Sequence, residues 1–435
     1  MDKNNGAIYD ARKLGKPKMI ILGVQHMFAM FGATILVPIL TGLDISTTLL
    51  MAGLGTLLFH CITKFKVPAF LGSSFAFLGG YAAIKAFSPN DPNSMLPYAC
   101  LGVACAGLIY FILAAVIKAV GIEKVMRFFP PVVTGPIIIA IGLGLAPSAV
   151  SNCTTNLFLA VVALAVIVVF NIWGKGMAKI IPIILGLLIS YGTGLVIYFI
   201  SQANPDLIQN VPWLFSGGAD ANGVYQPIFD FTSLNTICDN ISKGHIFGSE
   251  GLIGIPIHWD KTVFGGIDYS NGALIASSII AIVPIAFATM MEHIGDICAI
   301  SSTTGNNYIK DPGLHRTLVG DGLATTLASL FGGPANTTYG ENTGVLALTR
   351  VYDPRVIRIA AYFAVAVSFF PIVSVIIGSI PSCIIGGISF VLYGMISAIG
   401  VRNVVENKVD FTKSRNLIVA AVILVCALGL SSDTV

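Results

Sequence analysis

Two short polar stretches interrupt the apolar sequence of this chain and decide its fold: Pro68-Ala-Phe-Leu-Gly-Ser-Ser-Phe75 and Pro334-Ala-Asn-Thr-Thr-Tyr339. Each begins with proline, passes through a short run of Ser, Thr or Asn, and leads into an apolar run too short to cross a bilayer alone. Backbone that is not helical is tolerated at membrane depth only where it is buried in protein or lines a cavity. We therefore predict two broken spans, each made of a short strand segment followed by a half-helix.

The composition is typical of an all-α polytopic membrane protein. Hydrophobic residues make up 55% of the 435 residues and charged residues only 10%, against about 25% charged residues in soluble domains, and the mean hydropathy is +0.86. These values exclude a soluble enzyme and a disordered chain, and the net charge of +3 is too small and too scattered for nucleic-acid binding. The apolar runs predict thirteen spans, with approximate limits 18–41, 45–63, 69–87, 96–121, 131–150, 156–173, 178–200, 272–298, 317–333, 334–349, 356–380, 381–401 and 415–431.

The distribution of basic residues predicts how these spans are oriented. If residues 1–17 form a cytoplasmic N-terminus and the spans alternate, every Lys and Arg lies at a cytoplasmic end except Lys85, Lys243 and Lys261, as the positive-inside rule requires. Segment 201–271 is then an extracytoplasmic loop, and the sequence does not reveal its function.

The two halves of the chain resemble each other. Thr48-Leu-Leu-Met-Ala-Gly-Leu-Gly-Thr56 matches Thr317-Leu-Val-Gly-Asp-Gly-Leu-Ala-Thr325, Gln25-His26 matches Glu292-His293, and the two polar stretches match in the same order. An odd number of spans separates the copies, so the second copy enters the membrane from the opposite side. Such inverted repeats are typical of secondary transporters, whose sites lie near the midplane where broken helices meet. Chance similarity among common span residues is the alternative interpretation.

Acidic residues inside spans are the first candidates for a functional site, because a charge at membrane depth is costly. Glu292 and Asp296 lie mid-span and are spaced to share one helix face; Glu341 also lies mid-span, and Asp321 lies nearer the start of its span. The alternative is that these acids only hold helices together. The sequence contains neither an HExxH motif nor a P-loop, so we expect no enzyme activity, no bound metal and no ATP-driven transport.

Several motifs resemble those of one transporter family. Glu341-Asn-Thr-Gly-Val-Leu-Ala-Leu-Thr-Arg350 is similar to the signature Q/E-N-x-G-x-x-x-x-T-R/K/G of the nucleobase/ascorbate transporter family, and the preceding residues 332–340 resemble its bacterial uracil permease branch. Further matches follow the family order: Gln25-His26, Gly72-Ser-Ser-Phe75, Glu292-His293-Ile-Gly295, and Gly386-Gly387 with Tyr393-Gly394. The resemblance extends from about residue 12 to the C-terminus, apart from segment 201–271.

This resemblance implies a seven-plus-seven inverted-repeat transporter with a core domain and a gate domain. By position, the core domain comprises 18–121 and 272–380, and the gate domain comprises 131–200 and 381–435. Because the chain ends after its thirteenth span, we expect a C-terminally truncated sequence that lacks a fourteenth span, with an incomplete gate domain as the alternative. Members of the branch are proton-coupled symporters of the bacterial inner membrane. We therefore expect a homodimer that needs no cofactor beyond its coupling ion, with sodium as the alternative to a proton.

The resemblance also implies a substrate site. Glu292 and Glu341 would bind a nucleobase by hydrogen bonds, Phe75 and Gly340 would offer packing and backbone groups, and Tyr393 would be a contact from the gate domain. Tyr339, at the position equivalent to Phe75, would complete a flat aromatic wall. Asp296 matches the family's proton-linked position, and we expect support for it from further polar residues: His293, His26, Gln25, Asn342 and Thr338. For the two histidines, a purely packed interior role is the equal alternative.

Two positions give opposite indications about the base. By the family pattern, Glu341 rather than Gln favours a pyrimidine, whereas Asp296 stands where uracil permeases more often have His and is typical of purine carriers. Proton-coupled uracil symport by alternating access is therefore the leading hypothesis, with a xanthine or uric acid symporter as the alternative. An anion transporter of the same fold would need a basic residue at this depth, and the spans contain none there. A channel and a structural scaffold are the remaining alternatives.

Overall fold

The computed structural model describes residues 7–125, 130–220 and 222–429, except for the side chain of Glu341, and most of it is helical. Up to residue 242 the longer elements are α1 (Lys16–Thr41), α2 (Ile45–Ile62), β1 (Leu71–Ser73), α3 (Leu78–Lys85), α4 (Leu96–Val120), α5 (Pro131–Cys153), α6 (Leu157–Trp173), α7 (Pro182–Ala203), β2 (Ser216–Ala219), β3 (Tyr225–Pro227) and α8 (Thr232–Ser242). From residue 272 onward they are α9 (Gly272–Ile282), α10 (Ala286–Thr304), α11 (Leu314–Leu330), β4 (Asn336–Thr338), α12 (Gly340–Thr349), α13 (Pro354–Ser368), α14 (Pro371–Gly378), α15 (Ser382–Glu406) and α16 (Ser414–Gly429). Shorter helical turns lie at Ala11–Leu14, Phe75–Phe77, Pro92–Met95, Ile122–Val125, Gly176–Lys179, Asp206–Asn210, Pro212–Phe215, Trp259–Lys261, Val263–Gly266, Val283–Ile285 and Ile309–Gly313.

Long apolar helices confirm the predicted class of all-α polytopic membrane protein. Seven of the described helices are long and apolar enough to cross a membrane, and the bent pair α13–α14 adds an eighth if it is one span. Three shorter apolar helices accompany them: Phe75–Lys85, α6 and α16. Most helices begin and end within a few residues of the predicted limits, because the charged and turn-forming residues that bound the apolar runs also end the helices.

Two predicted spans differ from the structure. The segment predicted as one span over 356–380 is divided into α13 and α14, whose axes bend by 87°. Pro371 explains the break, because proline has no N–H to donate and disfavours the helical conformation in the residue before it. The span predicted over 272–298 continues to Thr304 and contains a short turn around Pro284.

The chain forms two compact units. Unit 1 comprises residues 1–125 and 236–377, and unit 2 comprises residues 126–235 and 378–435. Unit 1 contains both polar stretches and the span acids, and unit 2 contains Tyr393. Segment 201–271 is divided between the units within α8, and its part in unit 2 includes the small antiparallel sheet β2–β3.

Glycines bring the main helices close together within each unit. In unit 1, a Cβ placed on Gly107 of α4 would lie 2.7 Å from the carbonyl oxygen of Gly322 on α11. In unit 2, a Cβ placed on Gly400 of α15 would lie 2.7 Å from the carbonyl oxygen of Gly135 on α5. Small residues at helix contacts are typical of membrane proteins, where close packing replaces the hydrophobic effect as the force that joins helices.

The N-terminal segment before α1 is attached to the loop that follows α12. Two backbone hydrogen bonds of 2.8 Å join Ile8 to the residues on either side of Val351. Asp353 accepts a hydrogen bond from the backbone N–H of Ala11 at 2.7 Å and also caps α13 by accepting from the N–H of Arg355 at 2.9 Å. The segment therefore fixes the end of the half-helix that carries the family signature.

Replacing Asp353 by Ala will destabilise unit 1, because it leaves a buried N–H of Ala11 without its acceptor and removes the N-cap of α13. We expect a loss of about 1–2 kcal/mol in the free energy of unfolding. The measurement is the thermal unfolding midpoint of the purified full-length protein. Asp91→Ala, which removes the cap of an exposed turn, is the matched control, and equal midpoints for the two variants would contradict the assignment.

Candidate functional site

The two polar stretches form an antiparallel strand pair inside unit 1. β1 pairs with β4, with Gly72 opposite Thr337, and the backbone N–H groups of Tyr339 and Ser74 extend the pairing at its two ends with hydrogen bonds of 3.0 and 2.8 Å. All six strand residues are buried. Because backbone away from water must find its hydrogen-bond partners within the protein, this pairing explains how non-helical segments can lie among apolar helices.

Two threonines at equivalent positions of the repeat hold the strands from neighbouring helices. Thr56 of α2 accepts a hydrogen bond from the backbone N–H of Leu71 at 2.9 Å, and Thr325 of α11 donates to the carbonyl oxygen of Asn336 at 2.6 Å. The Asn336 amide donates in turn to the carbonyl oxygen of Met51 at 3.0 Å. Thr56 and Thr325 are the last residues of the two segments that match in the sequence, so both copies use a hydroxyl group at this position.

A helical segment follows each strand, and neither helical segment has a side-chain cap at its start. α12 begins at Gly340 directly after β4, and the turn Phe75–Phe77 leads from β1 into α3; in neither case does the N-cap residue provide a side-chain hydrogen bond. The first N–H groups of a helix have no partner within the helix and carry the positive end of its dipole. These two starts therefore offer hydrogen-bond donors to an acceptor on a ligand.

Two acids of α10 are accessible in unit 1, and one of them contacts the end of β4. Glu292 is exposed and Asp296, one turn later, is half-buried. Asp296 Oδ2 accepts a hydrogen bond from Thr338 Oγ1 at 2.8 Å, and a Cβ placed on Gly340 would lie 3.8 Å from Asp296 Oδ1. A Cβ placed on Gly295 would meet no atom within 4 Å. The structure thus brings Asp296, the end of β4 and the start of α12 together, and Glu292 lies one turn away on α10.

A buried contact between a histidine and an aspartate joins α10 to α11. His293 Nδ1 lies 2.9 Å from Asp321 Oδ2, and both side chains are 0% exposed. The hydroxyl of Thr338 lies 3.5 Å from the same ring nitrogen. The sequence identifies Asp321 as an acid within a span but contains no signal that pairs it with His293, because the contact depends on the rotation of two different helices.

His26 and Asn342 join α1 to α12. Both residues are buried, and Asn342 Nδ2 lies 3.2 Å from both the carbonyl oxygen and Nδ1 of His26. The contact fixes the first turn of the half-helix α12 against α1. The Gln25 side chain is half-buried, and its Oε1 atom has no hydrogen-bond partner among the described residues. No hydrogen bond to this oxygen therefore supports α12.

The aromatic residues of the predicted site lie in different environments. The hydroxyl of Tyr339 donates to the carbonyl oxygen of Ser73 at 2.9 Å, and its ring lies so close to Gly72 that a Cβ there would be 2.5 Å from Cε2. The ring of Tyr339 is therefore buried at the strand pair, and its part in a flat wall against a ligand stays a prediction. Phe75 is half-buried, and Tyr393 is buried in unit 2. Contact of either residue with a ligand stays a prediction.

Glu341 is the second residue of α12, so the backbone places it at the half-helix start. Its side chain lies outside the described residues, and its role as a ligand for the base stays a prediction. Across residues 7–125, 130–220 and 222–429, no group of three or more His, Cys, Asp or Glu residues is arranged to hold a metal ion.

Paired broken segments, uncapped helix starts and acids at membrane depth define this chain as a membrane transporter rather than an enzyme. The sequence comparisons agree. The chain belongs to the nucleobase/ascorbate transporter family: the family model Xan_ur_permease, described as "Permease family", matches residues 17–435. The predicted family and the predicted absence of enzymatic function are thereby confirmed.

Curated relatives match nearly the whole chain. The chain is 37% identical to the uracil permease of Bacillus caldolyticus over 94% of its own length and 85% of that protein. It is 38% identical to the uracil permease of Bacillus subtilis (strain 168), with the same coverage. It is 32% identical to the uracil permease of Escherichia coli (strain K12), over 93% of this chain and 83% of that protein.

Solved structures share the fold at low sequence identity. The transmembrane domain of the cyanobacterial bicarbonate transporter BicA matches with a TM-score of 0.65 at 13% identity and covers 98% of both chains. SLC26A9 matches with a TM-score of 0.53 at 11% identity, over 97% of this chain and 63% of that one. These similarities concern the fold alone, and they confirm the seven-plus-seven inverted-repeat transporter class.

Proposed function

We propose that this chain is a secondary active importer that couples uracil uptake to the entry of protons by alternating access. The names of its relatives support uracil as the substrate, and the carboxylate of Asp296 at the end of the strand pair supports a neutral ligand that carries N–H groups. We further propose a homodimer in the inner membrane of a bacterium. The distribution of basic residues supports a cytoplasmic N-terminus.

One observation carries the proposal: Asp296, Thr338 and the start of α12 are in contact, and Glu292 is exposed one turn away on the same helix. Uracil is flat and uncharged, with two N–H donors and two carbonyl acceptors. A carboxylate can accept from the N–H groups, and the uncapped backbone N–H groups of α12 can donate to the carbonyl groups. The side chain of Glu341 would add a second acceptor.

The same chemistry separates the proposal from its alternatives. An anion would be repelled by Glu292 and Asp296, so the fold shared with a bicarbonate transporter does not imply an anion substrate here. Xanthine and uric acid also carry N–H donors. Because Asp at position 296 is typical of purine carriers by the family pattern, a purine is the second candidate. Carboxylates at membrane depth are typical of proton relays in transporters, which supports the proton as the coupling ion.

Uptake of radiolabelled uracil into proteoliposomes that contain the full-length protein tests the proposal. We expect accumulation only under an inward proton gradient, because a neutral base gains no driving force otherwise. Unlabelled uracil will compete at least tenfold better than xanthine or uric acid. Uptake that ignores the proton gradient but follows a sodium gradient would contradict proton coupling, and preferential competition by xanthine would contradict uracil as the substrate.

A further inference from the structure

We propose that a cleft between the end of α4 and the start of α11 binds the phosphate group of an anionic phospholipid at the cytoplasmic surface of the membrane. The cleft lies wholly within unit 1. None of the residues of the candidate substrate site lines it. Lipid binding there does not depend on which base the protein carries or on which ion drives transport.

Three basic side chains line the cleft, which has a volume of about 260 Å³. Lys118 lies in the last turn of α4, Lys310 lies in the turn before α11, and His315 is the second residue of α11. Both lysines are exposed, and His315 is half-buried. No hydrogen bond or ion pair joins the side-chain nitrogens of these three residues to another residue in the described part of the chain. Three groups that attract an anion therefore border one space.

The two acids closest to these residues along the chain do not neutralise the cleft. Asp311, next to Lys310, is paired with Lys66, whose ammonium nitrogen lies 2.7 and 2.6 Å from its two carboxylate oxygens. Glu123 is exposed and does not line the cleft. The cleft therefore keeps a positive potential, which favours an anionic ligand.

The start of α11 adds to this potential. No side chain caps this helix, and the positive end of a helix dipole favours negative charge near the first turn. The His315 ring folds back over Gly313, because a Cβ placed on that glycine would lie 2.6 Å from Cε1 of the ring. The imidazole therefore stands beside the helix start, where its N–H can donate to the same anion.

The apolar lining of the cleft distinguishes a lipid from a free ion. Four aliphatic side chains line the cleft together with the basic ones: Ile117, Ile122, Ile309 and Leu314. A small hydrated anion gains nothing from contact with such a surface, whereas the first methylene groups of a lipid are stabilised by leaving water. The lining therefore favours a phosphate that is attached to acyl chains.

The position of the cleft along α4 matches that of a lipid headgroup. The 25 residues of α4 give a length of about 37 Å, which exceeds the hydrocarbon core of about 30 Å, so Lys118 lies among the headgroups. One and two turns earlier on the same face, Ala115 is exposed and Phe111 is half-buried, and an acyl chain can lie along them. The distribution of basic residues places this end of α4 in the cytoplasm, where anionic lipids attract basic groups.

A phosphate in the cleft joins the ends of two helices. Lys118 would hold it from α4, and Lys310 and His315 would hold it from the start of α11. A ligand that binds only the folded state raises its stability. An anionic phospholipid should therefore stabilise the protein against heat, and removal of the basic groups should weaken this effect.

Thermal unfolding of the delipidated full-length protein in an uncharged detergent tests the inference. Dioleoyl phosphatidylglycerol is added in one series, and dioleoyl phosphatidylcholine or inorganic phosphate is added in two others at the same concentrations. We expect phosphatidylglycerol to raise the unfolding midpoint by about 2–4 °C and the other two additions to raise it by less than about 1 °C. Native mass spectrometry of the same samples measures how much phosphatidylglycerol stays bound.

The double variant Lys118→Gln/Lys310→Gln removes the two ammonium groups. We expect the concentration of phosphatidylglycerol that gives half of the full rise to increase about 25-fold, since each lysine near an anionic lipid contributes roughly fivefold in affinity. Lys175→Gln/Lys179→Gln is the matched control, because it removes the same charge from two exposed lysines between α6 and α7. The control should respond to phosphatidylglycerol like the wild type.

Four results would overturn the inference. A double variant that responds like the wild type shows that the two lysines do not hold the headgroup, and a control that loses the response equally shows that only the total surface charge matters. Equal stabilisation by phosphatidylcholine shows that the charge of the headgroup is not recognised. Equal stabilisation by inorganic phosphate shows that the cleft binds an ion and no lipid.

The amount of bound phosphatidylglycerol keeps the test decisive if the double variant is less stable without lipid. Native mass spectrometry is then carried out below the unfolding temperature of the variant. Retention equal to that of the wild type contradicts the inference, and a loss confined to the double variant supports it. Uracil uptake does not enter either measurement, so a failure of the proposed transport function leaves this test valid.

Discussion

Replacing Glu292 by Gln will weaken uracil binding by about 100-fold. Glu292 is the exposed acid of α10, one turn from Asp296, whose carboxylate accepts a hydrogen bond from Thr338 at the end of β4. A hydrogen bond to a charged acceptor contributes about 1.5–3 kcal/mol, which corresponds to roughly 10–100-fold in affinity. Gln keeps the shape of the side chain but can present an N–H group toward the N–H of the base, which places the loss at the upper end of this range.

Equilibrium binding of labelled uracil to the purified full-length protein measures this effect. Glu123→Gln is the matched control, because Glu123 is an exposed acid of the same unit that lies in a short turn after α4. We expect the control to bind like the wild type. An affinity of Glu292→Gln within threefold of the wild type would show that this carboxylate is not a ligand for the base.

Replacing Gly72 by Val will abolish uracil binding and destabilise the protein. A Cβ at this position would lie 2.5 Å from Tyr339 Cε2 and 2.7 Å from the hydroxyl oxygen of Thr34, and both neighbours are buried within unit 1. Overpacking of this kind costs about 1–3 kcal/mol. Relief of the clash requires the strands to separate, and their separation moves the start of α12 away from the acids of α10.

Thermal unfolding and uracil binding of the same purified sample measure the two consequences. Gly272→Val is the matched control, because nothing lies within 4 Å of a Cβ at the exposed Gly272. We expect a lower unfolding midpoint and no detectable binding for Gly72→Val, with both properties kept in the control. A variant that binds uracil normally would show that the strand pair does not position the site.

The sequence predicts the broken spans because proline and a polar run cannot continue an apolar helix. It also predicts that Glu292 and Asp296 share a face, because helical spacing alone determines this. The pairing register of Gly72 with Thr337 depends on how two distant segments meet, and no local pattern encodes it. The same holds for the contact between His293 and Asp321, and for the attachment of the N-terminal segment to the loop after α12.

One difference between expectation and structure, and one asymmetry between the two copies of the repeat, have local causes. Pro371 breaks the span predicted over 356–380, but the apolar residues on both sides of it conceal the break when only hydropathy is considered. Tyr339 matches Phe75 by position, yet its hydroxyl finds a backbone acceptor at Ser73 and draws the ring into the strand pair. Phe lacks that hydroxyl group, so equivalent positions of the repeat take different environments.

The structure of the full-length protein with uracil bound tests the central claim most directly. The account predicts that the base lies within about 3 Å of the carboxylate of Glu292 and of a backbone N–H in the first turn of α12. Uracil held in a position that touches neither Glu292 nor the start of α12 would contradict the claim that the strand pair and the acids of α10 build the binding site.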